Sequence, residues 1–159
     1  MTAPAAAVTL VERLRRLHLQ MVEAVLGGEG LASVAELAAD AAGGVVAIVV
    51  PRLGVAVLAP RASSSEERLG QLRRYVADRV GDRPVQVPTG VEAEVAIASG
   101  DEMVGAVLLL GGGSAPTADA AEYLHLAAVA SLTEVAVEEA REEVEQNLRG
   151  SFLEDLRGG

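Results

Sequence analysis

The stretch "MVGAVLLL" (103–110) constrains the fold most, because it is apolar on both sides of any extended chain. A strand of that kind lies in the middle of a sheet whose two faces are both covered. Gly105 inside it marks a place where another part of the chain comes close. The preceding "VEAEVAIAS" (91–99) alternates instead, with Val91, Ala93, Val95 and Ile97 on one side and Glu92 and Glu94 on the other, and "SGDE" joins the two runs as a turn. "GVVAIVV" (44–50) and "GVAVLA" (54–59) are two more β-branched runs, separated by Pro51-Arg52-Leu53-Gly54, and read as a hairpin. "PVQVP" (84–88), fenced by prolines, reads as a short edge strand.

Helical spacing covers the rest. Over 9–26, Leu10, Leu14, Leu17, Met21 and Val25 recur every three or four positions behind a Thr9/Glu12 capping box, and Gly27-Gly28 ends the run. A shorter helix is expected at 31–42. Another follows over 62–81, with Leu69, Leu72, Val76 and Val80 on one face and a cap at Ser64 with Glu67. The longest runs over about 117–149. The order predicts an α+β domain: an antiparallel sheet of about five strands, helices on both faces, the first and last helices side by side.

The last helix changes character along its length. "TADAAEYLHLAAVASLTEVAV" is Ala-rich with a wide apolar face, suited to docking on the sheet. Through "EEAREEVEQNLR" only Ala140, Val144 and Leu148 are apolar and, with Val137 just before it, they form a thin stripe of the kind a partner helix needs. A homodimer seam is therefore expected from Leu10, Leu14 and Leu17 on the first helix and Val137, Ala140, Val144 and Leu148 on the last. After Gly150, Ser151 and Glu154 stand as the start of a new helix ahead of Leu156.

Composition removes several chemistries. With no cysteine there is no disulfide, zinc-thiolate site, iron–sulfur cluster or thiol nucleophile. His18 and His125 are far apart and lack metal-spaced neighbours, so no metal or cofactor is expected. Net charge is −10, and residues 117–159 hold ten acids against three arginines, which argues against direct nucleic-acid contact by this segment. No run of about twenty uninterrupted apolar residues is present, and the N-terminus lacks the basic region of a secretion signal, so a cytoplasmic protein without membrane contact is expected. "GGGS" (111–114) meets neither phosphate-loop spacing. Paired carboxylates fall on solvated helices, and no nucleophile elbow occurs, so no enzyme is expected. For a small organic effector held between the 65–81 helix and the sheet, the candidates are Arg52, Arg73, Arg74, Tyr75, Thr89 and Ser99. Arginine would meet a carboxylate, and the hydroxyl groups would orient it.

"ASGDEMVGAVLLLGGGSAPTADAAEYLHLAAVASLTEVAV" resembles the end of a GAF sensor domain, in which a tight turn, a Val-Gly-bearing strand and a Thr-led linker precede an Ala/Leu-rich helix. "EEAREEVEQNLRGSFLEDLRGG" resembles the junction in bacterial regulators of the purine-catabolism (PucR) and sugar-diacid (CdaR) kind. The resemblance implies a GAF-like domain over 8–149 that senses a small molecule and dimerises. Residues 150–159 would begin a linker toward a helix-turn-helix that this chain does not contain. No cysteine, histidine or asparagine matches the family's chromophore, haem or cyclic-nucleotide positions. A degenerate GAF domain, or a roadblock-like module paired through a sheet edge, are the scaffold alternatives.

Overall fold

The computed structural model describes residues 2–111 and 116–158. Helices α1 (Thr2–Leu26) and α2 (Gly30–Ala42) lead into strands β1 (Val45–Val50) and β2 (Val55–Ala59). Helix α3 (Glu66–Val80) follows, then β3 (Val91–Ser99), β4 (Glu102–Leu110) and the 39-residue helix α4 (Ala120–Gly158). The sheet is antiparallel throughout, in the order β2-β1-β4-β3.

The strand that is apolar from Met103 onward, β4, is central, as is β1. Side chains alternate between two cores. Val46, Ile48, Val50, Val107 and Leu109 face a layer of α1, α2 and α4, while Ala47, Val49, Ala106, Leu108 and Leu110 face α3. Small residues on the helices, among them Ala35, Ala38, Ala39, Ala127 and Ala130, let backbones approach the sheet closely, which is how a chain with three aromatic residues fills its interior. Gly105 behaves as expected. A Cβ there would collide with the Val49 carbonyl oxygen and the Val50 side chain of the neighbouring strand. Both hairpins also form as read, turning through Gly54 and Gly100 at positive φ.

Four corrections follow. The sheet has four strands, because 84–88 joins no ladder: Pro84 and Pro88 have no N–H to donate, and Val85 and Val87 stand exposed. Helix α1 begins at Thr2 rather than Thr9. The Ala3–Ala7 stretch is a strong helix former, and Pro4 is tolerated in a first turn. The cap of α3 is Ser65, not Ser64; its Oγ accepts from the Arg68 N–H at 3.0 Å. Finally, α4 does not stop at Gly150 and restart. It runs through to Gly158 as one helix. A glycine in a helix interior costs only about 1 kcal/mol, less than opening two helix ends to solvent. Apart from Gly111, the 111–114 connector lies outside the described residues.

Candidate functional site

Helix α3 lies on its sheet face through Leu69, Leu72, Tyr75 and Val76, all buried. The segment leading to β3 passes beside it, held where Arg68 Nη2 donates to the Thr89 carbonyl oxygen at 2.7 Å. Between them is an open groove of about 370 Å³, lined by Gln71, Arg74, Tyr75, Asp78, Val87 and Thr89 among others. Three of the six expected effector residues, Arg74, Tyr75 and Thr89, therefore meet at one place. The other three do not. Arg73 is an exposed helix position outside the groove. Ser99 leaves the inward row of Val95 and Ile97, because the β3–β4 register shifts between Ile97 and Ala98, and it ends exposed in the hairpin.

The groove borders an ionic cluster. Arg79 Nη2 donates to Glu94 Oε2 at 2.8 Å, and Glu94 Oε1 is buried without a partner among the described residues. Burial, with the Glu94 carboxylate beside it, raises the Tyr75 phenol above its ordinary range, so it stays a neutral hydroxyl. The Glu94 carboxylate likewise raises Arg79. The groove brings a guanidinium, a phenol and a threonine hydroxyl together with Gln71 and the Asp78 carboxylate, a largely polar lining with hydrogen-bonding groups of both kinds. Among the described residues no three metal-donor side chains cluster.

A second open groove, of about 330 Å³, lies where α1, α2 and the start of α4 meet. Arg13, Arg16, Asp40, Asp119 and Tyr123 line it, with Arg13 and Asp119 3.4 Å apart. Nothing in the sequence marked it, since its charges come from α1, α2 and the turn before α4, segments far apart in the chain.

The third feature is α4 itself. Its last buried residue is Val135, and from Glu139 to Arg157 every position is exposed. At 1.5 Å per residue the helix is about 58 Å long, so roughly half of it stands clear of the body as an arm. The arm carries large apolar side chains in water: Val144 is 57% exposed, Leu148 65%, Phe152 63% and Leu156 63%. Phe152 and Leu156 lie beyond the expected seam, which ended at Gly150 read as a stop, although the i, i+4 series from Leu148 reaches both. On α1 the expected seam fails in part. Leu17 is buried in the body's own core, and Leu14 packs partly against it, as does Val137 on α4. Leu10 is half-buried, and Ala140, Val144 and Leu148 stay exposed.

Arg52 sits at the root of the arm and does not line the groove beside α3. Its Nη1 donates to Glu139 Oε1 of α4 and its Nη2 to Glu102 Oε1 of β4, each at 2.6 Å. One guanidinium thus ties the turn after β1, the β3–β4 hairpin and the first exposed turn of the arm. The Glu139 and Glu102 hydrogen bonds raise its pKa further above an already high value.

By length and mean hydropathy α4 is also long and apolar enough to cross a membrane, although charged residues interrupt it. Its most apolar stretch is 44% buried inside the fold, so part of that apolar character is used by the body's core. Compared with family models, with curated proteins and with solved structures, the chain gives no match.

Proposed function

We propose that this chain is the sensory and dimerising part of a cytoplasmic one-component transcriptional regulator, a GAF-like domain of the PucR/CdaR kind. Two copies pair through their helical arms, and a small organic effector in the groove beside α3 biases the placement of those arms. The arms lead to a DNA-binding region outside this sequence.

The observation that carries this reading is the arm. A body that needed α4 only for its core would end the helix near Val137. Instead about twenty further residues project, bearing Val144, Leu148, Phe152 and Leu156 in water. The body covers none of these four side chains, and burying them is what a partner helix packed along the arm would supply. Arg52 supplies the mechanical link, since movement of the β3–β4 hairpin pulls on the Glu102–Arg52–Glu139 bridge. An effector acts only through its difference in affinity for two arm arrangements.

Sedimentation velocity on the intact chain tests the carrying observation. A dimer at micromolar concentration is expected, and a monomer at high concentration refutes the reading.

The solid packing of Leu72 and Val76 under α3 favours a second reading, a GAF-like scaffold that dimerises without any effector. Thermal shift against small carboxylic acids, sugar acids and purines separates the two. A saturable rise in Tm that Arg74→Ala abolishes keeps the sensor. A flat response across the panel leaves the scaffold.

A further inference from the structure

The apolar row on α4 does not begin where the arm leaves the body. Leu126, Val129, Thr133, Val137, Ala140, Val144 and Leu148 follow one another in steps of 3, 4, 4, 3, 4 and 4. The pattern repeats every eleven residues: Leu126, Val137 and Leu148 are equivalent, as are Val129 and Ala140, and Thr133 and Val144. A seven-residue repeat started at Leu126 passes through Thr133 and Ala140 but then reaches Asn147 and Glu154. The eleven-residue series stays apolar through Leu148, where the other reaches Asn147, and beyond it meets Ser151 and Asp155, with Phe152 and Leu156 one position to the side. None of the five acids between Glu138 and Arg149 falls on it.

Helix α1, which packs beside α4, shows the same spacing on its outer side. Val11, Arg15, Leu19, Val22 and Leu26 are separated by 4, 4, 3 and 4, so that Val11 and Val22, and Arg15 and Leu26, are eleven apart. Val11, Leu19 and Leu26 are exposed. On α4 Val129 is exposed too, and Leu126 and Val137 are only partly covered by the body. Two adjacent helices thus carry matching rows that the fold leaves open.

We infer that this two-helix surface is filled by a second copy of the same chain, in parallel, with the paired α4 helices running nearly straight rather than as a left-handed coiled coil. The handedness follows from the period. Eleven residues in three turns is 3.67 per turn, slightly above the 3.6 of a straight helix, whereas 3.5 is needed for left-handed winding. The choice of occupant follows from area. A row about 10 Å wide along residues 126–148 of α4 offers about 340 Å², and the α1 row adds about 240 Å². With the turns beyond Leu148 the surface reaches about 700 Å² per copy, within the range of stable dimers, whereas the arm alone falls short of it. The parallel sense rests on the function proposed above, since it sends both arms out at the same end.

The chain lacks cysteine, so single cysteines can be introduced without background. All four positions used here are exposed. In the intact 159-residue protein, Leu148→Cys and Asp155→Cys lie on the eleven-residue seam, and Asn147→Cys and Glu154→Cys lie on the seven-residue one. Under mild oxidation, disulfide-linked dimer at 148 and 155 is expected to exceed that at 147 and 154 by roughly fivefold, because Cα atoms must approach within about 7 Å. The opposite pattern overturns the straight pairing while leaving dimerisation intact. A wild-type dimer in which none of the four cross-links removes the arm from the interface. A monomeric wild type removes this inference and the proposed function together.

Discussion

The two halves of α4 are one continuous helix, yet they obey different rules. From Ala120 to Val137 the helix is held on three sides. Tyr123, Leu124, Ala127, Ala130 and Val135 are buried against α2, α1 and the sheet, and even Ser131 is buried, its Oγ donating to the Ala127 carbonyl oxygen at 2.7 Å. From Glu138 onward the same backbone carries charge on most of its circumference and one apolar row. The first half is specified by shape, where small residues permit contact. The second is specified by spacing, where only the period of the row matters. A helix can therefore pass from buried core element to exposed arm without a break, and Gly150 does not interrupt it.

Substitutions sharpen that contrast. Leu124 is fully buried, so Leu124→Ala is expected to cost about 2–5 kcal/mol, read as a clear fall in the urea midpoint, because the surrounding helices cannot collapse into the space. The paired change Val144→Glu with Leu148→Glu should leave the fold of the body intact but weaken self-association roughly a hundredfold, about 2.8 kcal/mol, by sedimentation equilibrium. A loss of secondary structure in that variant would mean that the arm belongs to the body after all. Gly150→Ala is the finer test. Nothing lies within 4 Å of a Cβ built there. In a continuous helix it stabilises the arm by about 1 kcal/mol and tightens the dimer roughly fivefold, whereas at a left-handed helix stop it would weaken it.

The smallest expected effect concerns Glu134, at the boundary between the halves. Burial, then the nearby Glu138 charge, raises its pKa, and its Oε2 has no partner among the described residues. A carboxyl whose pKa is raised by folding favours the folded state while protonated. Its stabilising share is thus lost as pH rises from the ordinary carboxylate range through the raised value. Glu134→Gln should raise Tm by roughly 2 °C at pH 7 and bring no gain at pH 4, measured by thermal melts at both.

Much of the fold was legible in the sequence, because apolar periodicity reports local geometry. The apolar run from Met103 to Leu110 announced a covered sheet, β3 alternates as read from Ala93 to Ile97 while a register shift turns Val91 to the α3 side, and Gly54 and Gly100 fell at the turns. The errors share one cause. Capping patterns at Thr9, Ser64 and Ser151 are short, and each was outweighed by its surroundings: an alanine run, a neighbouring serine, and an apolar row continuing to Phe152 and Leu156. For 84–88, two prolines were a stronger signal than two valines.

The candidate site was legible only in pieces. Arg74, Tyr75 and Thr89 converge because the segment after α3 passes back along it, a path that periodicity does not encode. Arg52 looked like a ligand-binding arginine at a turn, but its partners Glu102 and Glu139 lie 50 and 87 positions away. The sequence by itself determined four of the strands, the positions of the helices apart from their ends, and which side of α4 is apolar, since these depend on neighbours within a few positions. Tertiary structure alone decided that Leu17 is buried while Val144 is not, and that one arginine ties a hairpin to an arm. Burial and ion pairing depend on which distant segments arrive at the same point.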